Sequence, residues 1–221
     1  MAPIDRPVPR FAAEPPQDDL PAGPWEGRLR EVFLAACDRI DTDGTDLGEP
    51  GELHWFPDRT YNGRTFHPAT ARTSTGLELF GHVSYLRPEE DGEDAEDFAA
   101  MADFTEEIAE RHPEWKLDLC DDVIAEWNGA GEDLADMTLV WGVPQIRGGI
   151  VATAELADLC VDQCLLVEDR FTLIAPDDYR QDFLEIKLFN VRGEELARES
   201  LYADDGEDDD EDDADEPAPA A

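Results

Sequence analysis

The sequence predicts an α+β fold: a single domain with a mainly antiparallel sheet and two or three packed helices. Three observations carry that expectation. A helical apolar stripe lies near the N-terminus, short strand-like runs separated by turn residues fill the middle, and an alternating hairpin pattern closes the chain. Of the 221 residues, 41% are apolar, with ten Phe, five Trp and four Tyr. That suffices for one good core and is too much for a wholly disordered acidic chain.

Residues 1–24 hold seven prolines and little to bury, which predicts a flexible, partly polyproline arm. The domain is expected over 25–202. In its first helix Trp25, Leu29, Val32, Phe33, Ala36 and Ile40 share one face, Pro24 suits the first turn, and Asp41-Thr42-Asp43-Gly44 supplies a stop. From 53 to 87 the pattern is strand-like. Tyr61-Asn62-Gly63-Arg64 reads as a type I′ hairpin turn, a strand follows through Leu77–Leu86, and Gly81 marks a bulge.

After the acidic loop Glu89–Asp97, the spacing of Phe98, Met101, Phe104 and Ile108 predicts a second helix ending near His112-Pro113. Short strands are expected at 122–127 and 137–141. Leu156, Leu159, Cys160, Cys164 and Val167 fit a third helix over 153–166. Arg170–Ala175 reads as an apolar strand. In Phe183–Tyr202, Leu184, Ile186 and Leu188 alternate with charged or polar residues before Gly193 turns the chain back. The stretch Ala203–Glu216, with eleven carboxylates and no base, predicts a disordered tail over 203–221 that ends in Pro and Ala.

Charge dominates the functional reading. Fifty-six Asp and Glu against seventeen Lys and Arg give a formal charge of −39. Such a polyanion is repelled by nucleic acid and anionic lipid, so the expected partner is a basic protein, with no direct nucleic acid and no membrane. The tail carries less than a third of the excess, so the body is acidic in its own right. Candidate partner-binding residues are Glu89, Glu90, Asp91, Glu93, Asp94, Asp121 and Asp122. Leu53–Arg87 departs from its surroundings, with four arginines and three histidines against Asp58 and Glu78. There Arg59, Arg64, His67 and Arg72 are candidate anion-binding residues; the alternative is an ordinary sheet whose arginines pair with acidic neighbours.

Motifs for chemistry are lacking. Aligning Gly44 with the glycine of a calcium loop puts Arg39 and Pro50 at ligand positions, which rejects an EF-hand. Cys160 and Cys164 on one helix face have no further ligands at zinc spacing, so core packing is the better reading. HExxH, GxSxG, Walker A and GxGxxG are absent. No cofactor or metal is expected. The N-terminal MAPIDRPVPRF offers no apolar signal core, and cysteines 37, 120, 160 and 164 are too sparse for a disulfide scaffold, which predicts a cytoplasmic protein with reduced thiols. The function expected is a non-enzymatic, inhibitor- or immunity-like acidic protein. The alternatives are an enzyme whose site is not recognisable in one sequence, and a halophile-type protein whose acidity serves solubility, since fifteen Arg stand against two Lys.

Overall fold

The computed structural model describes residues 20–86, 95–128, 134–157, 159–177 and 183–201. The tail from 202 onward, residues 1–19 and the candidate acids Glu89, Glu90, Asp91, Glu93 and Asp94 lie outside them. Among the described residues there are twelve strands, one α-helix and one short 3-10 turn, and all strand pairs of the three sheets are antiparallel. The α+β expectation with two or three helices is therefore corrected to a mostly β architecture carrying a single helix.

The first sheet contains β1 (Pro50–Trp55), β2 (Arg59–Tyr61), β3 (Arg64–Thr73), β4 (Glu78–Leu86) and β5 (Glu96–Thr105). Its order is β1-β3-β4-β5, with β2 also on β3. The second holds β6 (Leu117–Asn128), β7 (Leu134–Pro144) and β10 (Phe171–Asp177) in the order β10-β7-β6. The third is β12-β11-β8-β9, from β8 (Gly149–Leu156), β9 (Leu159–Leu165), β11 (Glu185–Asn190) and β12 (Glu195–Ser200).

Alternating side chains stack these sheets into layers. Helix α1 (Gly23–Cys37) sets Leu29, Phe33 and Cys37 on Leu53, Trp55, Leu79 and Val83 of the first sheet. Phe66 of β3 packs with Met137, Leu139 and Trp141 of β7 and Ile174 of β10. The intervening positions, Val140, Phe171, Leu173 and Ala175, turn the opposite way and meet Ala152, Ala154, Ile186 and Leu188 of the third sheet. The middle sheet is thus covered on both faces, which is why MTLVW and FTLIA are apolar at every position but Thr138 and Thr172. Each large side chain so buried contributes about 1.5–3 kcal/mol.

Both failed helices have a physical explanation. Over 98–104 the residues packed toward α1 and β4 are Phe98, Ala100, Ala102 and Phe104, a strand period of two. The two aromatics are six apart, on one face of a strand and about 120° apart on a helix; Met101 and Ile108 fill out a helical stripe, and the alanines between are good helix formers that disguise the alternation. The expected 153–166 helix is instead the hairpin β8–β9, with Leu156 opposite Leu159. Its turn carries Ala157 at φ 51, a conformation that alanine does not advertise in sequence. On β9, Ala154 pairs with Asp162 but Glu155 pairs with Cys160, so Val161 is an extra residue. That bulge inverts the alternation: Cys160 is exposed and Cys164 buried, and the two do not share a face.

The Asn62-Gly63 turn forms as expected, with positive φ at both residues and Tyr61 opposite Arg64. So does the final hairpin around Gly193. Gly81 is no bulge. It stays in register opposite Ala102 at φ 152, and a Cβ there would lie 2.2 Å from the Met101 carbonyl oxygen. The irregularity in that strand pair falls between Ser84 and Leu86 instead.

Candidate functional site

A cavity of about 420 Å3 opens between the first and second sheets. Its apolar floor includes Phe56 and Trp141, both almost fully buried. The turn Ser74–Gly76 folds β3 onto β4 so that Arg72 stands directly opposite Glu78, and both line the cleft. From β6 come Asp118 and Cys120; from the 3-10 turn comes Glu110; His54, Glu168 and Arg170 complete the rim. Gly142 lets β7 approach β6, since a Cβ there would meet the Asp118 carbonyl oxygen at 2.5 Å.

The charges in the cleft are unevenly matched. Arg72 bonds Glu110 through Nη2 and lies 3.8 Å from Glu78 through Nε. Its Nη1 is buried and has no acceptor among the described residues, and the same holds for the indole N–H of Trp141. Burial pushes the Glu78 carboxyl up to about 7; Asp118 adds to the rise and Arg72 opposes it. Asp118 is raised for the same reason, burial first, with Arg72 acting against and Glu110 for. The Cys120 thiol is held well above its ordinary range by burial and by Glu78, Asp118 and Asp121. Cys120 therefore stays a neutral thiol and is poorly suited to nucleophilic or metal-ligand duty. Glu78, by contrast, samples both protonation states near neutral pH. Among the described residues no group of three or more His, Cys, Asp or Glu is arranged to hold a metal ion.

The four candidate anion-binding residues do not form one surface. Arg59 is only 2% exposed and is paired with Asp162 of β9. Arg64 bonds the side chain and backbone carbonyl of Asp97 and the Ser84 hydroxyl. His67 is buried, 4.0 Å from Asp58 and stacked on Tyr85. Arg72 alone of the four lines the cleft. His82, in the same stretch, meets Asp122 at 2.8 Å.

The described partner-binding candidates also separate. Asp122 faces His82 and the first sheet. Its neighbour Asp121 projects from the other face of the strand into a smaller hollow of about 230 Å3 shared with Glu199 and Leu201. Sequence reading missed Glu78, Asp118, Cys120 and Trp141 as a group because they come from three strands of two sheets. The available signal was Glu78, one of only two acids in a basic segment and placed across a Ser-Thr-Gly turn from Arg72.

The chain matches no protein-family model, no curated protein and no solved structure. No described helix is long and apolar enough to cross a membrane.

Proposed function

We propose that this chain is a non-enzymatic acidic protein that binds a basic protein partner electrostatically, in the manner of an inhibitor or immunity protein. One observation carries the reading: Glu126 of β6 and Asp136 of β7 are both exposed and stand directly opposite each other. Like charges in that position destabilise a strand pair by about 0.2–1 kcal/mol, and neither residue has a cationic partner among the described residues. Asp177 of β10, opposite Asp136, is by contrast fully buried and accepts the Leu184 backbone N–H, so the exposed pair is Glu126 and Asp136. A basic partner relieves this repulsion on binding.

The pairing inside the fold supports the same reading. Arg59, Arg64, Arg72 and Lys187 are each engaged by carboxylates of the chain itself. On the third sheet Glu185 is opposite Glu155 and Lys187 is opposite Arg198. The repulsions cancel along the diagonals, with Lys187 reaching both glutamates and Arg198 reaching Glu185 and Glu195. These basic side chains are thereby neutralised by carboxylates of the chain itself.

Titration of the full chain with a lysine- and arginine-rich protein tests the proposal. Saturable binding at low salt that weakens steeply with ionic strength is expected; absence of saturable binding at low salt overturns it.

A further inference from the structure

We propose that the cleft between the first two sheets binds a small zwitterion, a molecule carrying a carboxylate and an ammonium a few atoms apart, of which a free α-amino acid is the simplest class. Two N–H donors on cleft-lining side chains, Arg72 Nη1 and Trp141 Nε1, are buried and have no acceptor among the described residues. They call for an oxygen acceptor, and a carboxylate supplies two. The same cleft holds Glu78, Glu110 and Asp118 around Arg72, with Glu168 beside Arg170 at its rim, so four carboxylates stand against two guanidinium groups. They call for a positive group.

A simple anion would satisfy the donors but be repelled by the acids. A simple cation would satisfy the acids but face Arg72 and leave both donors unmet. Only a ligand with both charges matches both halves. The apolar floor of Phe56 and Trp141 gives a side chain somewhere to lie. About 420 Å3 is within the range of small-ligand pockets and holds any of the common amino acids. The raised carboxyls of Glu78 and Asp118 fit a site that an ammonium completes. This inference does not depend on the outward acidic surface, because the cleft residues are distinct from Glu126 and Asp136.

The test is calorimetric titration of the full chain near neutral pH with each of the common L-amino acids, alongside N-acetyl and carboxamide derivatives of any that bind. At least one amino acid is expected to saturate a single site. Blocking either its amine or its carboxylate should weaken binding by about tenfold or more, the loss of one charge-assisted contact. Trp141→Phe keeps an aromatic ring but removes the N–H together with part of the indole, and Asp118→Asn keeps the shape and removes the charge. Each should lower affinity by about fivefold to tenfold while the circular dichroism stays native. The proposal is overturned if no amino acid saturates at about 10 mM, in the weak-binding range. It is equally overturned if the blocked derivatives bind as well as the parent, or if folded Trp141→Phe retains full affinity.

Discussion

Arg59 of β2 and Asp162 of β9, 103 residues apart in the chain, form a buried ion pair that ties the first sheet to the third. Asp162 also accepts the backbone N–H groups of Ile174 and Gln163, each at 2.9 Å, so one carboxylate fixes three strands. Removing one partner leaves an uncompensated buried charge. Asp162→Ala is therefore expected to cost about 3–5 kcal/mol in denaturant unfolding. The double replacement Arg59→Met with Asp162→Leu should cost less than either single change. A single-variant loss below about 1 kcal/mol would contradict a buried, mutually dependent pair.

Glu78 makes stability depend on pH in a defined direction. Its carboxyl is raised from 4.5 to about 7 by burial and by Asp118 and Glu110, against Arg72. Because the folded value lies above the unfolded one, its contribution is complete below about 4.5 and is lost as pH rises through about 7. Glu78→Gln removes this titration. The variant should match the parent near pH 4.5 and exceed it at pH 8 by up to about 3 kcal/mol, read from thermal or urea unfolding at both values. Equal pH profiles for the two proteins would show the carboxyl to be solvated.

Glycine substitutions should separate close approach from turn conformation. At Gly81 a Cβ meets the Met101 carbonyl oxygen at 2.2 Å and the Ala102 Cα at 2.8 Å, so Gly81→Ala must push β5 away from β4. At Gly63 the space is open and only φ 77 opposes a side chain. Gly63→Ala is expected to cost about 1–2 kcal/mol and Gly81→Ala clearly more, measured by denaturant unfolding. Equal costs would mean that the β4–β5 contact yields without strain.

Local turn chemistry was legible wherever the residues themselves dictate the backbone. Asn62-Gly63 and Gly193 prescribe their turns, and both hairpins form where expected. The helix α1 was equally legible because its face is made of large residues at helical spacing. What failed were strands whose inward positions hold alanine, as at 100 and 102, and a turn built on Ala157, where no Gly or Asn announces it. The candidate site suffered from a different blindness. Asp121 and Asp122 are adjacent in sequence and face opposite ways, whereas Arg72 and Asp118 are distant in sequence and line one cleft. The placement of charge in a layered β fold follows register and sheet stacking, and a linear count of charges carries neither.

Thiol reactivity reports on the β9 bulge. Cys160 is exposed, while Cys37 and Cys164 are buried and Cys120 is partly covered. Burial, reinforced by Glu155 and Asp162, raises the Cys160 thiol, so it should react with a disulfide reagent more slowly than a free thiol at neutral pH, yet first among the four. Native protein should show one reactive thiol and denatured protein four. Equal labelling of Cys160 and Cys164 in the native state would contradict the inverted alternation.

The association rate of the chain with a lysine- and arginine-rich protein, followed by stopped flow across ionic strength, tests the proposed binding function most directly. For the parent protein the rate should fall about tenfold or more between roughly 20 and 200 mM salt. With Glu126→Gln and Asp136→Asn combined, the rate at low salt should drop and the salt dependence flatten. A rate indifferent both to salt and to the loss of these two carboxylates would contradict a basic partner docking on the β6–β7 acids.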